Sequence, residues 1–360
     1  MIGMAENRKK ESKRISKLRK LGEGSYGCVV SHPLPCSGKE TVISTANKER
    51  KEVAKLFYEK DKFNKEVSLA KKVKKVDPSE EKMLVATKAC PVSKKVLEDP
   101  LNASAISKCE VLGHSVSDKD DVAPVSKNVW QIAMPYSGVQ LDKAVQRYKR
   151  HIPVKTLASM IAPLFEAIIL LQQSKLVHQD IKYENVLVQK KKALLIDFSL
   201  MMSYDRIYTL SNYNRLRRRY RSFPPEYYMV SLMMKYQSDI EGSDKDYIKM
   251  FLLDKYKVHL ERIQYFFGAY YTLSEIIEKS NSKSLLQELF DNGNKAMKKY
   301  ANKIDVFAVG TMLNDIHPYV KRPMENVEYL RLMRGLLHPD PRERLTAEEA
   351  LTACKKIAGV

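Results

Sequence analysis

The sequence predicts an α+β fold in one domain, with strands near the N-terminus and helices in most of the remainder. Short apolar runs rich in β-branched residues, as at 28–30 and 186–188, are typical of strands. Apolar residues at helical spacing occur at 63–73 and twice more between about 229 and 300. The 360 residues suffice for one such domain, and no internal repeat indicates a second.

A glycine-rich segment opens the strand-rich part of the chain. It consists of Leu21, Gly22, Glu23, Gly24, Ser25, Tyr26, Gly27, Cys28 and Val29. Its three glycines let the backbone fold closely over a bound phosphate. A dinucleotide-binding unit shares the Gly-x-Gly-x-x-Gly pattern but needs a helix at once. Pro33 and Pro35 exclude a normal helix start here, so the segment favours a nucleotide site built on strands.

The periodicity of the next strand and helix indicates one lysine and one glutamate as candidate residues of the nucleotide site. Alternation along a strand places Val53 and Lys55 on one face, so Val53 rather than Ala54 is expected to cover a bound base, and Lys55 to meet the phosphates. Glu66 is the expected partner of Lys55, with Glu59 as the alternative, because Glu66 adjoins the apolar stripe of the next helix. The stripe consists of Phe63, Val67, Ala70 and Val73.

Two polar clusters each follow a short strand-like run. Residues 178–185 read His-Gln-Asp-Ile-Lys-Tyr-Glu-Asn, and Asp-Phe-Ser follows at 197–199. Two carboxylates, a lysine and an amide in this order supply most of what phosphoryl transfer from ATP requires: an acceptor for a hydroxyl proton, oxygen ligands for Mg²⁺ and a cation. A buried loop with satisfied polar groups is the alternative explanation for such a pattern alone.

Together these segments resemble the motifs of eukaryotic-type serine/threonine protein kinases. The resemblance implies a bilobal fold: a small β-rich N-lobe at about 15–133, a hinge at 134–138 and a large α-helical C-lobe at 139–360. It also implies ATP and Mg²⁺ as cofactors and protein hydroxyls as acceptors. Divergent motifs and large insertions look like those of kinases encoded by large DNA viruses.

The same resemblance assigns roles to individual residues. Asp180 would accept the proton of the substrate hydroxyl, and Lys182 would touch the transferred phosphate, as in serine/threonine kinases. Asn185 and Asp197 would hold magnesium ions. Lys55 would bind the α- and β-phosphates. The remaining nucleotide contacts would come from the gatekeeper Met134, the hinge residues Pro135 and Ser137, and Leu187.

Downstream segments resemble structural elements of the large kinase lobe. Phe-Pro-Pro-Glu at 223–226 resembles the end of the activation segment, and residues 338–346 resemble the closing motif. A buried ion pair between Glu226 and Arg344 is expected. Asp305 would hold the backbone of the loop at 178–185.

The chain departs from the family pattern in several places. Gln179 replaces the arginine that pairs with an activation-loop phosphate, so we expect activity that does not depend on that phosphate. Ser199 replaces a glycine and is read as a tolerated small residue. A helical insertion is expected at about 229–300, and we hypothesise that it replaces a substrate-docking helix that the short stretch at 315–324 cannot form. A second insertion at 77–128 carries weak strand signals at 83–87.

Charge narrows the set of partners. The chain has 63 Lys and Arg against 43 Asp and Glu, a net charge of +20, which attracts nucleic acid, anionic membranes or acidic proteins. An arginine run just before the Pro-Pro-Glu segment favours acidic protein substrates, and a solvated basic loop is the alternative. The run consists of Arg215, Arg217, Arg218, Arg219 and Arg221. A pseudokinase or scaffold that binds polyanions is the rival function.

The remaining features indicate a compartment. We expect no signal peptide and no apolar run long enough to span a membrane. The five cysteines lack metal-ligand spacing and fit a reducing compartment, with Cys28 as a packed thiol. A cytoplasmic protein is therefore expected, in the host cytoplasm or the virion if it is viral. Residues 1–14 are polar and basic and are expected to be disordered.

Overall fold

The chain forms two compact units in a computed structural model. One unit comprises residues 1–67 and 86–136, and the other comprises residues 68–85 and 137–360. The structure describes residues 17–24, 27–45, 51–110, 128–148, 151–207, 223–235, 245–280 and 283–360. The fold is α+β, with a small antiparallel sheet in the N-terminal region and a mostly helical remainder.

The small unit is built on a six-stranded antiparallel sheet. Its strands are β1 (Lys20–Gly24), β2 (Gly27–Val30), β3 (Thr41–Val42), β4 (Glu52–Phe57), β5 (Lys88–Pro91) and β6 (Trp130–Pro135). They lie in the order β1-β2-β4-β6-β5-β3. The helices that begin here are α1 (Lys60–Val76), α2 (Lys94–Leu97) and α3 (Pro100–Ile106).

The strand predicted at 83–87 lies elsewhere, at Lys88–Pro91. The Asp77 carboxylate accepts the backbone N–H groups of Lys82 and Met83, both at 2.9 Å, and holds this stretch in a turn. Met83 makes only an isolated parallel bridge with Leu195. Local side-chain bonds to the backbone therefore compete successfully with strand pairing at these residues.

One face of the small sheet covers an apolar core. The core contains Leu18, Cys28, Val30, Leu34, Ala54, Leu56, Val92, Leu97, Ala105, Ile106, Cys109 and Val129, each at most 6% exposed. Because side chains alternate along a strand, the residues next to Cys28 on β2 and next to Ala54 on β4 belong to the opposite face. That opposite face carries Gly27 and Lys55.

Two disulfides join distant parts of the small unit. Cys28 is bonded to Cys109 and Cys36 to Cys90, and in both pairs the Cα atoms are 5.7 Å apart, within the range that a disulfide requires. The expectation of a packed thiol at Cys28 was wrong. The sequence did not indicate this pairing, because Cys28 and Cys109 are 81 residues apart and meet only in the folded unit.

The large unit is mostly helical. Its helices are α4 (Leu141–Gln146), α5 (Val154–Gln173), α6 (Pro225–Lys235), α7 (Lys245–Ile263), α8 (Leu273–Ser280), α9 (Lys283–Tyr300), α10 (Ile304–Ile316), α11 (Val327–Leu336) and α12 (Ala347–Ala358). Its short strands are β7 (Val139–Gln140), β8 (Leu176–Val177), β9 (Val186–Gln189), β10 (Lys192–Leu195) and β11 (Met202–Ser203).

Helix α5 lies at the centre of the large unit, packed against α12 and β10. It is long and apolar enough to cross a membrane by length and composition, with a mean hydropathy of 1.8, so the expectation that no such run exists was wrong. In this fold, 61% of that apolar stretch is buried inside the protein, as expected for the core helix of a globular unit.

The described residues between about 229 and 300, where a helical insertion is expected, are mostly helical, from α6 to the end of α9. Both α7 and α9 pack against α6. Five apolar residues at helical spacing in α7 and α9 are buried, namely Leu252, Tyr256, Leu285, Leu286 and Leu289. Helices α7 and α9 therefore contribute to the core of the large unit.

The expected ion pair between Glu226 and Arg344 is present in the large unit. The guanidinium donates two parallel hydrogen bonds, of 2.7 and 3.0 Å, to the two carboxylate oxygens. Both side chains are fully buried. A buried pair of this kind fixes the start of α6 against the segment before α12, because loss of either partner would leave an uncompensated charge.

Candidate active site

The loop at 178–185 joins β8 to β9 and is anchored by Asp305, near the start of α10. The Asp305 carboxylate accepts the backbone N–H of His178 at 2.8 Å and of Gln179 at 3.0 Å, as predicted. Gln179 has a φ of 67°, a conformation that is uncommon for any residue except glycine. The two bonds from Asp305 fix the loop backbone in this conformation.

Asp180 is held through one carboxylate oxygen and left open at the other. Its Oδ2 accepts hydrogen bonds from Lys182 Nζ at 3.0 Å and from Asn185 Nδ2 at 2.8 Å. Its Oδ1 is buried and has no hydrogen-bond partner among the described residues. A buried acceptor without a donor is costly, so this oxygen is suited to receive the O–H of a bound molecule.

Burial and neighbouring charged or hydrogen-bonding groups act in opposite directions on the pKa values of Asp180, Lys182 and Asp305. Burial raises the pKa of Asp180, and the Lys182 ammonium opposes that rise. Burial alone would lower the pKa of Lys182, but the carboxylate of Asp180 outweighs it and raises that pKa. Burial raises the pKa of Asp305 to about 6, against the lowering effect of its two N–H donors. Asp180 is thus a stronger base than an exposed aspartate, while Lys182 stays charged.

His178 is neutral and joins this loop to the segment before Asp197. Burial lowers its pKa to about 4. Its Nδ1 accepts the backbone N–H of Asp180 at 3.2 Å, so Nε2 carries the proton and donates to the carbonyl of Ile196 at 3.1 Å. The imidazole also packs edge-on against the Phe198 ring, with centroids 5.1 Å apart.

Asp197 lies two residues beyond β10 in a left-handed conformation, with a φ of 60°. The backbone N–H of Ile196 donates to the carbonyl of Asn185 at 3.0 Å and keeps the two segments together. The Asp197 Oδ1 accepts the backbone N–H of Ser199 at 3.3 Å. A non-glycine residue with positive φ next to functional groups is a common way in which backbone strain serves a site.

The oxygen atoms of Asn185 and Asp197 fit a hard divalent cation. The Asn185 amide nitrogen donates to both the carbonyl and the carboxylate of Asp180, which orients the amide and leaves its oxygen as the ligand atom. Within the described ranges, no group of three or more His, Cys, Asp or Glu residues is arranged to hold a metal. A site with two protein oxygens suits Mg²⁺, which keeps waters and takes phosphate oxygens.

In the small unit, Lys55 and Glu66 form the expected ion pair. Lys55 Nζ lies 2.8 Å from Glu66 Oε1, and their side chains are 13% and 19% exposed. Glu66 rather than Glu59 is therefore the partner. Val53 lies on the same face of β4 as Lys55, whereas Ala54 belongs to the apolar core on the other face.

The glycine-rich segment forms the β1–β2 hairpin, with Gly24 opposite Gly27 in the ladder. A Cβ on Gly27 would lie 2.7 Å from the Leu56 carbonyl oxygen and 3.2 Å from Lys55 Cγ. Glycine is therefore required for the hairpin to lie this close to β4. Ser25 and Tyr26, at the tip, lie outside the described residues.

The expected hinge residues lie at the end of β6 and just beyond it. Met134 and Pro135 are the last two residues of β6, and Met134 pairs with Val53 of β4. Ser137 is buried and is the first residue of the large unit after β6. Gly138, the last residue of the predicted hinge, has a φ of 69°, and a Cβ there would lie 2.4 Å from the Val188 carbonyl oxygen, a requirement for glycine that the sequence did not indicate.

Leu187 lies on β9 of the large unit, opposite Gln140 of β7. The arginine run at 215–221 lies outside the described residues. The predicted site residues therefore fall into two groups, one in each unit: the hairpin with Lys55 and Glu66, and the loop from His178 to Asn185 with Asp197.

Comparison with protein families identifies the class of this protein. The model of the protein kinase domain matches residues 15–228, a range that contains the hairpin, Lys55, Asp180 and Asp197. The chain belongs to the protein kinase family. Comparison with curated proteins gave no match.

Proposed function

We propose that this chain is an ATP- and Mg²⁺-dependent kinase that transfers the γ-phosphate to serine or threonine hydroxyls of proteins. The observation that carries the proposal is the state of Asp180. One of its oxygens is fixed by Lys182 and Asn185, and the other is buried with no partner among the described residues. A substrate hydroxyl that donates to this oxygen becomes a better nucleophile as its proton moves to the carboxylate.

The other site residues position the nucleotide and balance its charge. Lys55, oriented by Glu66, binds the α- and β-phosphates, and the β1–β2 hairpin covers them with backbone. We assign Val53, Met134, Pro135, Ser137 and Leu187 individually to contacts with the nucleotide. Asn185 and Asp197 would hold Mg²⁺, which would supply positive charge to the phosphate oxygens. Lys182 supports the serine/threonine assignment, because a lysine two residues after the catalytic aspartate resembles the serine/threonine-kinase form of this loop. Its ammonium bonds to Asp180, and that carboxylate raises the pKa of Lys182.

We also propose a preference for acidic residues around the target hydroxyl. The support is the arginine run at 215–221, because guanidinium groups bind carboxylates and phosphates in pairs of hydrogen bonds. The carboxylates of Glu184, Asp315 and Asp142 lie close enough to Tyr183 to raise its pKa, and their charge opposes this preference. The preference therefore depends on the arginines alone.

Activity without activation-loop phosphorylation follows from the same proposal. Gln179 is buried, uncharged and held at its backbone by Asp305, so it offers no cation to a phosphate. Removal of phosphate from the purified protein by a phosphatase is expected to leave the rate of transfer unchanged. Loss of activity on dephosphorylation would contradict this.

Transfer of labelled γ-phosphate separates the kinase from a pseudokinase scaffold. The protein is incubated with ATP, Mg²⁺ and an acidic or a basic acceptor protein, and the labelled amino acid is identified. We expect phosphoserine or phosphothreonine, more on the acidic acceptor, and far less label with Asp180→Asn. Binding of ATP without transfer to either acceptor would favour the scaffold, and label on tyrosine would contradict the assignment of the acceptor.

A further inference from the structure

The disulfide between Cys28 and Cys109 lies on the core-facing side of β2, the strand that also carries Gly27 of the proposed nucleotide site. On β2, Cys28 points into the apolar core with Ala54 and Leu56, whereas the adjacent Gly27 lies against the Lys55 side chain on the other face. The bond therefore acts one residue away from the phosphate-covering backbone.

The other end of this disulfide lies in a turn just after α3. The Cys109 backbone N–H donates to the Ile106 carbonyl at 2.9 Å, and its neighbours Lys108 and Glu110 are exposed. Lys20 Nζ, on β1, donates to the Lys108 carbonyl at 2.6 Å. One covalent bond and one hydrogen bond thus tie the two strands of the hairpin to the same turn.

We propose that the Cys28–Cys109 disulfide is a redox-controlled tether that sets the affinity of the hairpin for ATP. In the oxidised protein the hairpin is held in its binding conformation, and reduction by a dithiol releases it. Binding then becomes weaker, because the hairpin must be ordered when the nucleotide binds. This inference rests on the proposed use of the hairpin as the ATP site.

The chemistry of release is thiol–disulfide exchange. A thiolate of the dithiol attacks one sulfur of the pair, the sulfur–sulfur bond breaks, and the other cysteine leaves and takes up a proton. The second thiol of the reductant then displaces the mixed disulfide. The protein gains two electrons and two protons as two thiols, and the dithiol is oxidised to a cyclic disulfide.

Access to the bond requires local opening of the turn. Cys28 and Cys109 are 0% and 1% exposed, so a reductant reaches them only when residues 107–110 move away from the core. Lys108 and Glu110 flank Cys109 and are already exposed, which makes Cys109 the first sulfur to become accessible. If reduction weakens ATP binding, ATP must in turn stabilise the disulfide by the same factor.

The second disulfide and the fifth cysteine provide controls. Cys90 lies on β5, which β4 and β6 separate from β2, so the Cys36–Cys90 bond does not hold the hairpin strand that carries Gly27. Cys354 is a free thiol buried on α12, and burial raises its pKa to about 12, so it is unreactive near neutral pH.

The test measures binding of a fluorescent ATP analogue to the oxidised and the dithiol-reduced protein, with thiols counted by alkylation and mass spectrometry. We expect reduction to weaken binding about three- to tenfold, as for loss of preorganisation in a binding loop, and reoxidation to restore it. Cys109→Ser should match the reduced protein under oxidising conditions. The double variant Cys36→Ser/Cys90→Ser should bind like the oxidised wild type.

Two outcomes overturn the tether. The first is equal affinity of the oxidised and reduced wild type for the ATP analogue. The second is that the dithiol concentration that reduces half of the protein is the same with and without ATP. The reversible comparison within the wild type keeps the test valid if Cys109→Ser fails to fold. Absence of ATP binding in both redox states would instead refute the proposed function.

Discussion

Asp305 controls the catalytic loop without belonging to the reacting groups. Its carboxylate accepts two backbone N–H groups, an arrangement that needs both oxygens as acceptors. Because burial raises its pKa to about 6, the carboxylate takes up a proton as the pH falls through this value. One of its oxygens then becomes a donor, and one of the two loop contacts is lost.

We therefore predict an acidic limb near pH 6 in the pH profile of kcat/KM. Loss of one hydrogen bond to a charged group costs about 1.5–3 kcal/mol, which corresponds to a fall of roughly tenfold or more. His178, with a pKa of about 4, does not change charge in this range.

Asp305→Asn resembles the protonated form of Asp305. Its kcat/KM should therefore be low at every pH and show no acidic limb near pH 6. A variant that retained the wild-type profile would show that another group sets this limb. A steady-state measurement from pH 5 to 8 distinguishes the two results.

Lys55 is expected to contribute through its charge. Lys55→Met removes a charge-assisted hydrogen bond to phosphate, worth about 1.5–3 kcal/mol, and should lower kcat/KM for ATP by roughly 10- to 100-fold. Glu66→Gln keeps the lysine and weakens only its orientation, so a smaller loss is expected. The exposed Lys72 on α1 is the control, and Lys72→Met should be silent. Equal effects of the substitutions at Lys55 and Lys72 on kcat/KM would show that Lys55 does not bind ATP.

The sequence predicts which site residues interact where those residues are close along the chain. Asp180, Lys182 and Asn185 lie within five positions, so their order alone indicated a shared site, and the structure places them in hydrogen-bond contact. Gly138 gave no such signal, because its need for a positive φ arises from the approach of Val188, fifty residues further on.

At the scale of elements, helices were easier to predict than strands. The apolar positions of α7 and α9 in the insertion have clear helical spacing, and those with described burial lie in or beside the core. The strand predicted at 83–87 was misplaced, because Asp77 bonds to the backbone of the turn there. Apolar content alone does not reveal such a competing bond.

The insertion is predicted to contribute to the stability of the large unit. Leu289, on α9, is fully buried, so Leu289→Ala should cost about 2–5 kcal/mol in the free energy of unfolding. Lys295 is exposed on the same helix, and Lys295→Ala should change it by less than about 0.5 kcal/mol. Chemical denaturation measures both. Equal small effects would mean that α9 is not part of the cooperative core.

At the scale of the whole molecule, topology determines which distant residues meet. Cys28 and Cys109 are 81 residues apart, and no local pattern links them. The kinase fold itself was predictable, because its motifs occur in a fixed order over most of the chain. The disulfides were not, because they depend on how α3 and the turn after it pack beneath β2.

The net charge of +20 predicts a strong dependence on ionic strength. Surface charges more than a Debye length apart, about 10 Å at 0.1 M salt, are screened from one another. The KM for an acidic peptide should therefore rise severalfold from low to physiological salt, whereas the KM for a peptide with Asn and Gln in place of Asp and Glu should change little. Parallel changes for both peptides would contradict charge-based recognition.

Catalysis by Asp180 is the central claim, and it is tested by comparing ATP binding with phosphate transfer in wild type and Asp180→Asn. The variant should bind ATP with nearly wild-type affinity and transfer phosphate to serine or threonine about 10²- to 10⁴-fold more slowly, the usual contribution of a general base. Transfer at the wild-type rate by a variant that still binds ATP would contradict the account.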